Sequence, residues 1–522
     1  MSTTVDTPVG SAVGVSTTPC AAGPQPVARN AAFLAGAQVL GMPLSMLTNA
    51  ITARYLGAAA FGYMYIGGTL NNFGALAVDW GALGALPALV ATDRSRAGRL
   101  LGAALTWRLG ASVIAYGIIM GSCWLLGYST EIRIVTSLLF AGYTVSAITN
   151  AGQSVMSGFE RVDVAAYRQV FEQGATLAIV TAILVLGGGL YLTLVGHFTA
   201  TILALVFMAY VVNRSHIGQL SVDYASLRTL LRNGTPFVVI GAAMILQPTI
   251  DAAFLAKLAP ADVVGWYSAA RRLLGFLVFP VGSLVGSLYP TLCRLHLSEP
   301  AAFQETVRSA LRATSVMVMP VALGCFLYPD IGIALFDPIS FRPAEDNLRV
   351  LAVLLFLMYF TMPIGVSIAA AGRQRAWSIV QSLCIGVSLI LDPVLIPWSQ
   401  RRLGNGGLGL SVAATVSELI VLVCGVVLAP RGIVDRRFFR TLLPVGVSSI
   451  VMITVAGALR PISSFAAAPI AVGGFAVSLW LTGGIEPEVS AFVRRFVLRG
   501  IARLRPRGKA TTADQSSAPA GP

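Results

Sequence analysis

Long apolar stretches separated by short polar segments run through most of this chain. Fourteen of them reach the roughly 20 residues that a helix needs to cross the hydrocarbon core of a bilayer. They cover residues 30–52, 62–90, 100–126, 132–156, 166–188, 190–212, 234–256, 263–290, 308–328, 348–371, 376–398, 407–428, 439–459 and 464–483. The pattern therefore predicts an all-α membrane protein with about 14 transmembrane helices.

The polar gaps differ in their basic residues. If the N-terminus lies inside, 25 of the 36 Lys and Arg residues fall in cytoplasmic segments, 10 fall on the opposite side, and Arg108 lies within the third stretch. Cytoplasmic loops of membrane proteins carry an excess of Lys and Arg. The bias predicts that both termini are cytoplasmic.

Composition agrees with a membrane protein, since 56% of residues are hydrophobic and only 11% are charged. The net charge of +14 lies in short loops and a tail, which favours a topology signal and contact with membrane lipids over binding to nucleic acid. Residues 1–28 are predicted to be a disordered cytoplasmic tail, and residues 486–522 a basic, partly disordered one. The six cysteines and three histidines show no metal-ligand spacing, so we expect neither a metal nor a cofactor.

A shift of 203 residues aligns the start of the chain with its middle. The aligned identities are Arg29-Asn30 with Arg232-Asn233, Ala53 with Ala256, Gly62 with Gly265, and Pro87 with Pro290. Because six apolar stretches separate the two copies, the repeat is parallel, and transporters of this kind place their substrate site between the halves. We therefore expect an N-lobe at 29–228, a C-lobe at 229–430 and two further helices at 431–485.

Three local motifs identify a related family. The segment Ala53-Arg54-Tyr55-Leu56-Gly57, followed by Phe61-Gly62-Tyr63, resembles the opening of bacterial polysaccharide flippases of the Wzx type. Asp251 with the run from Val264 to Arg271 is similar to a second motif of that family, and Gly158-Phe159-Glu160-Arg161 to a third. These proteins form the polysaccharide transport family of the MATE-like MOP superfamily. Arg272 departs from the family pattern.

This resemblance implies two six-helix lobes around a central cavity that opens alternately to either side. It also implies a flippase that moves a polyprenyl-pyrophosphate-linked oligosaccharide from the inner to the outer leaflet of the bacterial plasma membrane, for surface polysaccharide biosynthesis. A polysaccharide polymerase and export machinery are then expected partners.

Other functions fit parts of the pattern. A MATE-type cation-coupled multidrug exporter or a lipid II flippase would share the fold and the repeat. A membrane enzyme would need catalytic residues on a sizeable outer loop, and the outer loops are short, so we expect no enzyme. A scaffold subunit of an envelope assembly would not need ionisable residues within its spans.

Basic and amide side chains within the spans are the candidate substrate contacts. A sugar hydroxyl moved into hydrocarbon without a partner costs roughly 2–7 kcal/mol, and a diphosphate costs far more. Arg pairs with phosphate oxygens in a bidentate way. We expect Arg271, Arg272, Arg54, Asn72 and Gln247 to contact the pyrophosphate or the glycan. In the competing interpretation, Arg271 and Arg272 extend to the interface or pair with Asp251.

Arg108 and the acids within the spans receive a separate interpretation. Arg108 is expected to extend to the cytoplasmic interface. Asp251, Glu418 and Asp79 are the candidates for ion coupling, through a proton or sodium. Each of these acids equally suits a structural pair with an Arg. Asp392 is also expected to be buried, or else to mark a helix end at Pro393.

Overall fold

The computed structural model describes residues 24–484 apart from 216, 431, 434, 435 and 462. The predicted tails at 1–28 and 486–522 therefore lie outside the described residues, except that helix α1 already begins at Pro24. Within this part of the chain the α-helices are α1 Pro24–Asp79, α2 Ala82–Thr92, α3 Ala97–Leu125, α4 Thr130–Gly158, α5 Val162–Val185, α6 Leu190–Arg214, α7 Tyr224–Leu258, α8 Ala261–Ser298, α9 Pro300–Leu327, α10 Pro329–Ile333, α11 Ala344–Ala370, α12 Gln374–Leu403, α13 Gly406–Leu428, α14 Arg436–Leu459 and α15 Ser464–Leu481.

All fourteen predicted stretches fall in helices. By length and hydropathy, 11 candidate membrane spans lie among the described residues, and the first of these, Gly36–Thr92, combines two predicted stretches. The predicted all-α membrane fold is confirmed.

The first two predicted stretches are connected differently from what the sequence suggests. Instead of a loop, α1 continues through a kink at Gly57, whose φ of 75° and ψ of 177° suit glycine because a Cβ disfavours this conformation. The second stretch then breaks at Trp80 and Gly81, with φ values of 43° and 68°. The prediction of one unbroken helix over 62–90 is therefore wrong.

The chain divides into two compact units. Within the described residues, unit 1 comprises 24–55 and 67–246, and unit 2 comprises 56–66 and 247–484. Each unit thus includes a segment that belongs by sequence to the other half of the repeat. The lobe limits expected from the sequence stay a prediction.

The core of unit 1 is a cluster of aliphatic side chains from α2, α3, α4 and α6. Leu86, Leu100, Val155 and Met208 are among its buried members. Since lipid is as apolar as these side chains, close packing rather than transfer from water stabilises contacts of this kind within a membrane.

Unit 2 contains an unusually close crossing between residues 58–62 and the start of α8. A Cβ added to Gly62 would lie 1.8 Å from the carbonyl oxygen of Ala261, and one added to Gly265 would lie 2.0 Å from that of Ala58. The contact is reciprocal, because Ala58 with Ala261 and Gly62 with Gly265 are both 203 residues apart. Only glycine allows the two backbones to approach this closely.

The last two helices, α14 and α15, pack on each other and on α9 within unit 2. Met452, Ala456, Ala471 and Phe475 lie in the buried cluster that they share with Tyr328.

Candidate ion and substrate sites

Two carboxyl groups, from Asp251 on α7 and Asp392 on α12, face each other inside unit 2. Asp251 is 7% exposed and Asp392 is 0% exposed. Helix α12 continues through Pro393 to Leu403, so the suggestion of a helix end at that proline is wrong. We call Asp251 and Asp392 the carboxyl pair.

The carboxyl pair is flanked by a second pair of polar side chains on the same two helices. Gln247 precedes Asp251 by four residues and Ser388 precedes Asp392 by four, so each set lies on one helix face. The Gln247 amide donates a hydrogen bond of 3.2 Å to the Ser388 hydroxyl oxygen. The Ser388 hydroxyl also lies 3.3 Å from that of Ser417 on α13. These contacts join α7, α12 and α13 around the carboxyl pair.

Most oxygens of the carboxyl pair lack well-formed hydrogen bonds. Asp251 Oδ1 and both oxygens of Asp392 accept none within the part of the chain that the structure describes. Two carboxylates buried side by side repel each other and need a compensating positive charge. A proton shared between them, or a small cation bound to their oxygens, would supply it.

Arg271, in the third turn of α8, lies within electrostatic range of Asp251 and of Glu418. The half-buried side chain of Tyr65 and the buried side chain of Tyr267 lie within electrostatic range of Arg271 as well. Glu418 on α13 is half-buried beside Thr361 of α11. Arg271 is thus surrounded by more acidic groups than its single charge can balance.

Arg272 points elsewhere, because consecutive helical residues differ by about 100° in direction. Its guanidinium lies 4.6 Å from the centre of the Phe61 ring, in a cation–π contact. Phe61 is fully buried and packs against Phe336 and Phe341, each with its ring centre 5.9 Å away. The two adjacent arginines therefore make different contacts, although both lie within electrostatic range of Tyr65.

Asp79 and Arg108 form an ion pair inside unit 1. The guanidinium nitrogen Nη2 lies 2.6 Å from Asp79 Oδ1, and Arg108 is 1% exposed. Arg108 also donates a hydrogen bond to the carbonyl of Ala147. The expectation that Arg108 extends to the cytoplasmic interface is wrong, since its buried guanidinium pairs with Asp79, which is half-buried.

The same ion pair lies where α1 breaks. The carbonyls near a helix end lack partners within the helix. Here the indole of Trp107 donates to the carbonyl of Ala77 at 3.1 Å, and the hydroxyl of Tyr143 donates to that of Ala75 at 3.3 Å. Side chains from α3 and α4 thus satisfy the broken end of α1.

The remaining predicted substrate contacts, Arg54 and Asn72, lie in a different unit from the carboxyl pair. Arg54 is exposed just before the Gly57 kink, and Asn72 is exposed on α1. Both belong to unit 1, whereas Gln247, Asp251, Arg271 and Glu418 belong to unit 2. Sequence reasoning missed Ser388 and Ser417, although the four-residue spacing of Ser388 and Asp392 repeats that of Gln247 and Asp251.

Among the described residues, no group of three or more His, Cys, Asp or Glu side chains is placed to hold a metal ion. The five cysteines in this part of the chain are free, namely Cys123, Cys293, Cys325, Cys384 and Cys424.

Comparison with known proteins decides the family. The model of a family described as polysaccharide biosynthesis protein matches residues 27–296, which is more than half of the chain. The chain belongs to this family. The match confirms the family predicted from the motifs, and no curated protein matches the chain.

Solved structures confirm the fold. The lipid II flippase MurJ in an inward closed conformation is 14% identical, with a TM-score of 0.67, and the match covers 89% of this chain and 99% of MurJ. An inward-facing multidrug resistance MATE transporter of the MOP superfamily is 16% identical, with a TM-score of 0.61 over 75% and 94% of the two chains. A MOP superfamily transporter from Pyrococcus furiosus is 16% identical, with a TM-score of 0.52 over 76% and 94%. This member of the polysaccharide biosynthesis family therefore has a MOP-type, multi-pass membrane fold.

Proposed function

We propose that the protein moves an oligosaccharide linked to polyprenyl pyrophosphate from the inner to the outer leaflet of a bacterial plasma membrane, by alternating access. In this proposal both termini are cytoplasmic, as the distribution of arginines predicts. The observation that carries the proposal is the match to the polysaccharide biosynthesis family over residues 27–296. A MOP-type fold supports transport rather than catalysis.

Arg271 is the proposed contact for the pyrophosphate. An Arg within a membrane-spanning helix is costly unless it faces water or an anion, and its planar guanidinium matches two phosphate oxygens. Gln247, Arg54 and Asn72 stay proposed contacts for the glycan. Arg272, which lies on the ring of Phe61, is proposed to assist indirectly by holding residues 56–66 in place.

The carboxyl pair is the proposed site of a coupling ion, either a proton or sodium. While Asp251, Asp392 and Glu418 are all ionised, they compete with the substrate for Arg271. A cation that neutralises the carboxyl pair frees the positive charge of Arg271 to interact with the pyrophosphate. Binding of the ion then raises the affinity for the substrate, and binding of the substrate raises the affinity for the ion. Asp79 already has Arg108 as its partner, so we base the coupling site on Asp251.

The experiment is a flipping assay in proteoliposomes with a fluorescent polyprenyl-pyrophosphate oligosaccharide. We expect substrate to become accessible on the opposite leaflet with the wild type, at a rate that Arg271→Ala lowers at least tenfold. Arg402→Ala, which removes an exposed Arg near the end of α12, is the matched control and should flip normally. Efflux of cationic drugs without glycolipid flipping would overturn the proposal in favour of a multidrug exporter, and flipping of lipid II alone would place the substrate in peptidoglycan synthesis.

A further inference from the structure

A cavity of about 520 Å³ lies within unit 1, between α3, α4 and α6. Its interior is apolar, with Leu101, Leu105, Ile148, Met208 and Val212 among the lining residues. No part of the proposed transport site contributes to it. Any occupant of this cavity would need an apolar portion.

The polarity of the cavity changes from one end to the other. Asn213 and residues 217–220, which include Gln219, line the end near the α6–α7 connection. From Leu205 to Asn213 the lining of α6 spans eight residues, or about 12 Å at 1.5 Å per residue. One leaflet of the hydrocarbon core is about 15 Å deep. The cavity thus has the depth of one leaflet and a polar opening at one interface.

The connection that borders this opening is pressed against α3. A Cβ at Gly98 would lie 2.5 Å from the carbonyl oxygen of Gln219, and one at Gly102 would lie 2.3 Å from that of Ser221. Gly218, with a φ of 86°, makes the turn that brings these carbonyls to α3. The wall of the opening is therefore formed by backbone whose position depends on three glycines.

The charge around the opening is positive. Residues 93–99 and 213–223 carry Arg94, Arg96, Arg99 and Arg214 against Asp93 and Asp223. Glu160 pairs with Arg94 at 3.3 Å, so the excess comes from the other arginines. Hydrogen bonds from Ser95 lower the pKa of Asp93, and the amide of Ala225 with the hydroxyl of Ser226 lowers the pKa of Asp223. Both carboxylates thus stay ionised while committed to capping turns. The arginine excess favours an anion at the opening.

We propose that this cavity binds an anionic glycerophospholipid of the inner leaflet. One acyl chain fills the apolar interior between α3, α4 and α6. The phosphate lies at the opening, beside Asn213 and Gln219 and within reach of Arg214, whose guanidinium lies over the Tyr210 ring at 5.3 Å. The bound lipid would hold residues 217–223, which join the two halves of the repeat, against α3. The membrane's content of anionic lipid would then influence the stability of unit 1.

A binding experiment tests this without any assay of transport. The purified full chain is exchanged into micelles that contain phosphatidylglycerol and phosphatidylcholine with the same acyl chains, and retained lipid is measured by native mass spectrometry. We expect phosphatidylglycerol to be retained preferentially by the wild type. Ala209→Phe, which places a ring in the cavity from an exposed lining position, should abolish that preference. Asn213→Asp should lower it about fivefold, since one charge near such a surface is worth about 1 kcal/mol.

Leu203→Phe, at an exposed α6 position outside the cavity lining, is the matched control and should keep the preference. Equal retention of phosphatidylglycerol by wild type and Ala209→Phe would overturn the proposal, as would displacement of the lipid by polyprenyl phosphate. Because the readout is lipid retention, a failure here leaves glycolipid flipping untouched, and a failure of flipping leaves this site standing.

Discussion

Gly62 and Gly265 occupy equivalent positions in the 203-residue repeat. Gly62 lies against the backbone of Ala261, and Gly265 lies against that of Ala58. The hydrogen atom of each glycine takes the place where a Cβ would approach a carbonyl oxygen to 1.8 or 2.0 Å. The sequence repeat and the contact therefore report the same local symmetry at this crossing.

Gly62→Ala should destabilise the protein by roughly 1–3 kcal/mol, because the backbone at Ala261 must shift to admit the methyl group. The measurement is the midpoint of thermal unfolding in detergent. Gly68→Ala is the control in the same helix, where a Cβ meets nothing within 4 Å. That control should be neutral or stabilising by about 0.5–1 kcal/mol. Equal midpoints for wild type and Gly62→Ala would refute the crossing.

Alanine variants of Arg271 and Arg272 should differ in glycolipid flipping and in the midpoint of thermal unfolding. Arg271→Ala should lose glycolipid flipping while unfolding near the wild-type temperature, since its partners are the acidic groups of the proposed transport site. Arg272→Ala should lower the unfolding midpoint, because its cation–π contact with Phe61 is worth about 0.5–2 kcal/mol. Arg271→Lys keeps the charge and loses the bidentate geometry, so we expect partial flipping. Identical phenotypes for the two alanine variants would contradict the division of roles.

Asp392→Asn should remove the dependence of flipping on an imposed proton or sodium gradient. The amide mimics a neutral carboxyl and leaves only Asp251 to interact with the ion, so the rate should no longer respond to the gradient. Glu299→Gln, at an exposed acid that follows α8, is the control and should respond like the wild type. A full gradient response in Asp392→Asn would exclude the carboxyl pair from coupling.

Asp79→Ala should destabilise unit 1 by about 3–5 kcal/mol, because it leaves the guanidinium of Arg108 buried without its carboxylate. The double replacement of Asp79→Leu with Arg108→Met should destabilise the protein less than Asp79→Leu or Arg108→Met alone. A double-mutant cycle of unfolding free energies measures the difference. Additive effects of the two substitutions would mean that the ion pair contributes nothing.

The helices were predictable from the sequence because each span needs a long apolar stretch, and that requirement leaves a strong pattern. The break at Trp80 and Gly81 could not be predicted in this way. It depends on Trp107 and Tyr143, which lie on other helices and donate hydrogen bonds to carbonyls at the end of α1. Arg108 was misjudged for a similar reason: its partner Asp79 lies 29 residues away. Local pattern locates a charged residue along a helix but leaves its partner undetermined.

The candidate site was predictable only in part. Asp251 was identified by a motif, and Arg271 by its depth within a span. Their arrangement with Asp392 and Glu418 required the packing of α7, α8, α12 and α13, which no spacing along the chain encodes. The divergence of Arg271 from Arg272 follows from helical geometry, yet the aromatic partner Phe61 comes from more than 200 residues earlier in the chain.

The exchange of segments between the two units has a consequence for biosynthesis. Residues 56–66 leave the ribosome long before residues 247–484, with which they form unit 2, and unit 1 is incomplete until residue 246 has been made. The N-terminal half therefore enters the membrane with one segment whose packing partners do not yet exist. Neither half, expressed alone, would contain a complete unit, so a functional split protein would require both fragments in the same membrane.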